Sequence, residues 1–151
     1  MSTPYTAEDI TQATRRLDIA MSRLMVASAR DVGVSVPELL ALEHLDAAGG
    51  LGPSDLAQRL QMSTGSITAL VDRLEASGRA VRAPHPGDRR RVVVSRTAKA
   101  GEDLAQGAAP LVKEVRALSQ SLSEREREAV GRFLERFIAI LEKSADEACA
   151  A

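Results

Sequence analysis

Residues 53–78 read PSDLAQRLQMSTGSITALVDRLEASG, and this stretch decides the fold. Its first part predicts a helix of barely two turns that begins at Pro53, where a proline is tolerated. Ser63 can cap a second helix, which Gly78 ends. The apolar side chains of this second helix recur at i, i+3, i+4 and i+7: Ile67, Leu70, Val71 and Leu74. Two short helices joined so tightly cross at a steep angle, as in a helix-turn-helix.

After Gly78 the pattern changes from a helical period to one typical of strands. Ala80–Arg82 and Arg91–Ser95 predict two short strands, and Pro84–Gly87 predicts a loop between them. The run Asp88-Arg89-Arg90-Arg91 then lies near the tip, where Asp88 is expected to orient a neighbouring guanidinium group by a charge-assisted pair. We interpret the stretch as a β-wing.

Two helices are predicted before this region. Thr6 and Ser35 each begin a capping-box pattern, with an acidic residue three positions later. Gly33 ends the first helix and Gly49 ends the second, because glycine accepts the left-handed backbone conformation common at helix ends.

Two long helices are predicted after the wing. Thr97 caps the first, and its apolar residues follow a heptad seam that suggests a partner helix: Leu104, Ala108, Leu111, Val115, Leu118 and Leu122. Pro110 predicts a kink in this helix. Ser123 with Glu126 begins the last helix, whose tail from Ser144 is expected to fray.

Composition narrows the class of protein. With 151 residues and 16.1 kDa the chain has the length of one domain, and an aromatic content of 2% leaves the core to aliphatic side chains. The single cysteine, Cys149, excludes an intramolecular disulfide. No secretion signal or membrane span is predicted, so a cytoplasmic location is expected.

The net charge of −1 hides an uneven distribution. Residues 54–99 contain nine lysines and arginines against four acids and carry +5, whereas the remainder carries −6. A local basic block is what a footprint on a polyanion requires, although a solvated basic face has the same composition.

The order of these pieces resembles the MarR family of winged-helix transcriptional regulators. The resemblance is carried by Leu56–Leu60, Ser63–Gly78, Val81–Arg90 and Val92–Gly101. It implies a mainly α fold with a small β-wing, a winged helix-turn-helix, and an obligate homodimer through the N- and C-terminal helices. The chain departs from the family at Arg96, where a leucine usually precedes the threonine.

The same resemblance implies how the chain is divided. Residues 1–151 form a single domain, in which residues 35–100 are the DNA-binding lobe and residues 6–33 and 101–146 are dimerisation helices. It further implies a repressor that binds a pseudo-palindromic operator in double-stranded DNA and is released by a small-molecule effector.

The candidate DNA contacts lie on the second helix of the pair and on the wing. The apolar stripe of that helix faces inward, which turns small and hydroxyl side chains outward, where they can meet phosphates or base edges. The expected contacts are Ser63, Thr64, Ser66, Thr68 and Arg73 on the helix and Arg89, Arg90 and Arg91 on the wing. By resemblance Arg90 enters the minor groove, with Arg89 and Arg91 on phosphates.

Several of these residues have structural alternatives. Ser63 can serve simply as the helix cap, and the wing arginines can form a solvated hairpin tip. Arg59, Arg79 and Arg82 are either backbone contacts or ordinary surface charge.

An effector pocket is expected between the first, second and fifth helices by the same resemblance. Its candidate lining is Met21, Met25, His44 and Leu45, which serve equally well as core residues. The sequence contains no phosphate-binding glycine loop, nucleophile elbow or metalloprotease motif, so we predict no enzyme activity, cofactor or metal.

Two other functions remain open on the sequence. A winged helix can act as a dimeric protein-interaction module that does not bind DNA. The chain could also sense oxidants through Cys149, although no neighbouring residue is expected to lower the pKa of its thiol.

Overall fold

The computed structural model describes residues 5–150, with all side chains of this range except those of Arg89, Cys149 and Ala150. The elements in chain order are α1 (Ala7–Val32), α2 (Val36–Ala48), α3 (Pro53–Leu60), α4 (Thr64–Ala76), β1 (Ala80–His85), β2 (Asp88–Arg96), α5 (Ala98–Ser121) and α6 (Glu124–Ala150). The predicted order of helices with one hairpin is confirmed. The chain divides into two compact units between Gly107 and Ala108, within α5.

The predicted helix ends are confirmed by their hydrogen bonds. The Thr6 hydroxyl accepts from the Asp9 amide at 3.1 Å, and Ser35 forms the same reciprocal capping box with Glu38. Gly33 and Gly49 end α1 and α2 in the left-handed region, with φ of 76° and 69°. The predictions of these helix ends are correct because each end depends on a cap encoded within a few residues.

One apolar core holds the first unit together. The predicted inward stripe of α4 is confirmed, because all four of its side chains are at most 1% exposed. They pack with residues from α2, α3, β2 and the first turn of α5, among them Leu42, Leu45, Leu56, Val94 and Ala100. This core fixes α4 on α2 and α3 as a helix-turn-helix.

The hairpin is longer than predicted. Pro84 and His85 belong to β1, and the turn contains only Pro86 and Gly87. A proline is tolerated there because a two-stranded sheet has free edges that need no amide donor. The pairing is regular from Ala80–Arg96 to Pro84–Val92 and then jumps to His85–Asp88. Three residues of β2, numbers 89–91, therefore have no partner opposite them.

The terminal helices differ from the sequence prediction in two places. Helix α5 continues through Pro110 from Ala98 to Ser121, and α6 continues beyond Ser144 to Ala150 instead of fraying. None of the described helices is long and apolar enough to cross a membrane.

Candidate nucleic-acid interface

The first turn of α4 is organised by Ser63. Its hydroxyl accepts from the Ser66 amide at 3.2 Å and lies 2.9 Å from the Ser66 hydroxyl. Ser63 is therefore the helix cap, as one of its two interpretations required. A DNA contact by the same residue stays a prediction.

The outward face of α4 carries small and hydroxyl side chains. Thr64, Gly65, Ser66 and Thr68 are exposed, and a side chain built at Gly65 would meet only open space. The Thr68 hydroxyl donates to the Thr64 carbonyl at 2.9 Å, which leaves its acceptor lone pairs and its methyl group available. This surface is shallow enough for a nucleic-acid backbone to approach closely.

The N-terminus of α4 also lacks negative charge. Its first turn contains no acidic residue, whereas the first turns of α1, α2, α3 and α6 all contain at least one. The partial positive charge of a helix N-terminus is therefore not offset at α4, so the exposed amides favour an anion such as phosphate.

Arg73 forms an ion pair with another residue of the same chain. Its Nε donates to Oε1 of Glu38 at 2.7 Å, while its side chain remains 59% exposed. Burial by itself raises the pKa of Glu38, but hydrogen bonds from Ser35 and Arg73 outweigh it and hold the pKa below its usual value. The structure thus gives Arg73 a structural contact and leaves the outer part of its guanidinium open.

The arginines at the base of the hairpin are also paired. Arg82 forms ion pairs with Asp72, at 2.8 Å, and with Glu75. Arg79 donates to the Val32 carbonyl at 2.7 Å, and Arg96 pairs with Asp46. Arg79 and Arg82 both bind acceptors of their own chain, and a DNA-backbone contact by either residue stays a prediction.

The Arg82 contacts also determine where the hairpin lies. Besides its two carboxylate partners on α4, Arg82 is 3.4 Å from the Thr68 carbonyl. Asp72 and Thr68 are both exposed residues of α4. The base of the hairpin is thereby held beside the exposed face of α4.

The tip of the hairpin is braced by hydrogen bonds from backbone amides to side chains. The Gly87 amide donates to Nδ1 of His85, and the Arg90 amide donates to Oδ1 of Asp88, both at 3.0 Å. The described contact of Asp88 is thus with an amide, and its predicted pairing with a neighbouring guanidinium stays a prediction. An aspartate reaches the amide two residues ahead readily, because that bond closes a short local turn.

Arg90 and Arg91 project from this braced tip. Both side chains are exposed, and within the described part of the chain neither forms an ion pair. The Arg89 side chain lies outside the described residues. Two unpaired guanidinium groups, at the tip of a hairpin whose base lies beside the hydroxyl-rich face of α4, are suited to contact a phosphate backbone.

A contact that the sequence did not reveal fastens the hairpin to the loop after α2. The Leu51 amide donates to the Val94 carbonyl at 2.9 Å, and the Val94 amide returns the bond at 2.8 Å. Gly50 has φ of 130°, and a Cβ there would lie 2.7 Å from the Ser95 hydroxyl. The glycine pair after α2 signalled only a helix end, because close approach of a distant strand has no local sequence mark. A cavity of about 270 Å³ lies beside this contact and is lined partly by Asp55, His85 and Arg91.

The four candidate effector residues occupy different environments. Leu45 is 1% exposed in the core, Met25 and His44 are half-buried, and Met21 is exposed on α1. Leu45 would line a pocket only if the core opened beside it. The effector pocket stays a prediction.

The chain is similar to known regulators. The sequence profile of the MarR family matches residues 32–91. A relative from Bacillus subtilis (strain 168), named the uncharacterized HTH-type transcriptional regulator YcgE, is 31% identical over 132 residues, which are 87% of this chain and 86% of the relative.

Two solved structures share the fold. RV1404 from Mycobacterium tuberculosis gives a TM-score of 0.71 at 21% identity, over 92% of this chain and 97% of that one. A mutant of S. aureus MepR bound to an oligodeoxyribonucleotide gives a TM-score of 0.59 at 20% identity, over 91% of this chain and 99% of the other.

Proposed function

The chain belongs to the MarR family of winged-helix transcriptional regulators, and we propose that it binds specific sites in double-stranded DNA as a homodimer and represses transcription from them. The observation that carries this proposal is the exposed, hydroxyl-rich face of α4, beside which Arg82 holds the base of a hairpin whose tip carries unpaired arginines.

Helix α4 is the element that reads bases in the major groove. Thr64, Ser66 and Thr68 supply hydroxyl groups that donate to or accept from base edges, and Gly65 lets the backbone approach the phosphates. Ser63 adds a phosphate contact while capping the helix, and the exposed outer nitrogens of Arg73 reach a phosphate or a guanine.

The hairpin tip supplies most of the positive charge. Arg90 enters the minor groove, where the negative potential is concentrated, and Arg89 and Arg91 contact phosphates on either side. The backbone bonds at His85 and Asp88 support this role, because a braced tip loses less conformational entropy when it inserts.

The homodimer is supported by apolar side chains that the terminal helices leave exposed. Residues 6–33 and 101–146 include exposed apolar residues on α1, α5 and α6: Ile10, Leu17, Leu24, Leu111, Val115, Leu118, Phe133, Leu134 and Ile138. Burying such surfaces between two copies is the ordinary way to remove them from water. Two lobes then meet DNA about one helical turn apart, roughly 34 Å, so the operator is a pseudo-palindrome.

A small molecule releases this repressor from its operator by changing the spacing of the two lobes. Met21, Met25, His44 and Leu45 remain the candidate contacts, and a ligand would act through its greater affinity for one arrangement of the lobes. The Cys149 side chain lies outside the described residues, and we assign it no role.

Selection of DNA from a randomised library tests the proposal. Duplexes of about 30 bp retained by the purified protein are expected to contain two inverted half-sites with centres about 10 bp apart. Enrichment of no sequence, or of one unrepeated half-site, would contradict the proposed dimeric regulator.

The role of α4 is tested on the selected duplex. Thr68→Ala is expected to change the preferred base at one position of each half-site while the salt dependence of binding is retained. Ser77→Ala removes a hydroxyl from the other end of α4, where it donates to the Leu74 carbonyl, and is the matched control. Equal losses for Thr68→Ala on selected and random DNA would exclude base reading by Thr68.

A further inference from the structure

Arg79 occupies the junction at which four elements of the first unit meet. Its amide donates to the Leu74 carbonyl at 2.8 Å and so closes the end of α4. Its own carbonyl accepts from the Thr97 amide at 2.9 Å. Because Arg79 directly precedes β1 and Thr97 directly follows β2, this one residue fixes both ends of the hairpin.

The side chain of Arg79 points toward two further helices. Nη2 donates to the Val32 carbonyl in the last turn of α1, at 2.7 Å. Nε faces Oδ2 of Asp103 in α5 at 3.8 Å. The Arg79 side chain is only 16% exposed, so its guanidinium bridges helices within the protein.

One donor of this guanidinium is unsatisfied. Nε of Arg79 is buried and has no hydrogen-bond partner, although the Asp103 carboxylate lies only about 0.6 Å beyond hydrogen-bond range. A buried unpaired donor is unfavourable, so a small shift of α5 toward Arg79 is rewarded by a charge-assisted hydrogen bond.

We propose that Arg79 is a positioning residue through which α5 and α1 set the orientation of the hairpin on DNA. The inference rests on the proposed function, since it assigns a regulator of the same DNA-binding surface. When α5 closes on Arg79, the extra bond stiffens the common root of β1 and β2. When α5 moves away, the Arg79 guanidinium keeps only its bond to the Val32 carbonyl.

A second contact makes the hairpin base sensitive to α5. Arg96, opposite Ala80 in the hairpin, pairs with Asp46 of α2, and its guanidinium lies over Gly101 of α5. A Cβ at Gly101 would overlap that guanidinium. Helix α5 therefore borders the hairpin base at both Arg79 and Arg96. A displacement of the first turns of α5 changes the contacts of both strands.

Hydrogen exchange of the full-length protein tests the link without DNA. Asp103→Asn removes the charge but keeps the shape, and Glu102→Gln makes the same charge change at the neighbouring exposed position as a control. We expect the amides of residues 80–97 to exchange about five- to ten-fold faster in Asp103→Asn, with α4 unchanged. Equal exchange in Asp103→Asn, Glu102→Gln and the unmodified protein would overturn the inference.

A double-mutant cycle tests whether the link acts through the hairpin. On the selected duplex, Asp103→Asn is expected to weaken binding about five-fold or more, the range of ordinary coupling between sites. The loss should nearly vanish when Arg90→Ala is already present, because the hairpin then has less to contribute. A loss of the same size in both backgrounds would show that Asp103 acts elsewhere, which overturns the inference.

A second variant guards against a purely structural effect. Arg79→Lys keeps the charge but loses the fork that reaches Val32 and Asp103 together, so it should reproduce the exchange and binding changes of Asp103→Asn. If the unmodified protein bound no DNA but Asp103→Asn still loosened the hairpin, the proposed function would fail and the link would stand. If Arg90→Ala weakened binding but Asp103→Asn did not, the inference alone would fail.

Discussion

The base and the tip of the hairpin are both rich in arginine, yet their arginines have different surroundings. At the base, Arg79, Arg82 and Arg96 each contact acceptors of the same chain. At the tip, Arg90 and Arg91 are exposed and, among the described residues, unpaired. The base is therefore part of the folded framework, and the tip is free to meet an external polyanion.

Because of this difference, the net charge of a stretch does not show how much of its positive charge is available to DNA. The net charge of +5 over residues 54–99 treats every arginine alike. The carboxylates that pair with Arg73 and Arg96 lie at positions 38 and 46, outside that stretch. The tip therefore carries positive charge that no ion pair among the described residues offsets, and three residues of β2 there have no partners in β1.

The largest effect on DNA binding should come from removing the side chains of Arg90 and Arg91 at the tip. Arg90→Ala combined with Arg91→Ala is expected to weaken binding to the selected duplex at least about 100-fold, because each protomer loses two charge-assisted contacts. The free energy of unfolding, measured in urea, should stay within about 0.5 kcal/mol of the unmodified protein. A comparable fall in stability would mean that the tip is also part of the framework.

Substitution of an arginine at the base of the hairpin should instead lower the free energy of unfolding. Arg82→Ala leaves Asp72 and Glu75 without their partner, and we expect it to lower the free energy of unfolding by about 1–2 kcal/mol. Arg59→Ala removes the same charge from an exposed position on α3 and is the control, with an expected change below about 0.5 kcal/mol. Equal urea midpoints for Arg82→Ala and Arg59→Ala would show that Arg82 does not stabilise the fold.

A smaller effect is expected from pH at the Glu38–Arg73 pair. The pKa of Glu38 is held below its ordinary value of 4.5, so its contribution to stability is complete above that value and is lost as pH falls through the lower, folded pKa. Glu38→Gln should therefore be less stable than the unmodified protein near neutral pH, by no more than about 1 kcal/mol since Arg73 is largely exposed.

The stability difference between Glu38→Gln and the unmodified protein should shrink as the pH is lowered. The exposed carboxyls of Asp9 and Glu126 also have lowered pKa values, from hydrogen bonds with Thr6 and Ser123, but they are common to both proteins and cancel in the comparison. A difference that grew toward acid pH would contradict the sign of the Glu38 shift.

The sequence predicted the features that depend on near neighbours. The capping boxes at Thr6 and Ser35, the glycine at the end of α1 and the buried stripe of α4 each rest on residues within two turns of one another. The candidate surface on α4 followed from the same periodicity, because identifying the inward face also identifies the outward one.

The features that were missed depend on distant partners. Nothing near Arg79 indicates that its guanidinium bonds to Val32, 47 residues away, and nothing near Arg96 indicates Asp46, 50 residues away. The jump in strand register at Pro84 likewise follows from the whole hairpin.

The salt dependence of DNA binding tests the difference between tip and base most directly. The logarithm of the binding constant for the selected duplex would be plotted against the logarithm of salt concentration for the unmodified protein, the Arg90→Ala/Arg91→Ala variant and Arg96→Ala. We predict that the tip variant lowers the magnitude of the slope by about 1.8 per protomer, since each of the two lost cations removes about 0.9, and that Arg96→Ala leaves it unchanged. An unchanged slope for the tip variant, or an equal fall for Arg96→Ala, would contradict it.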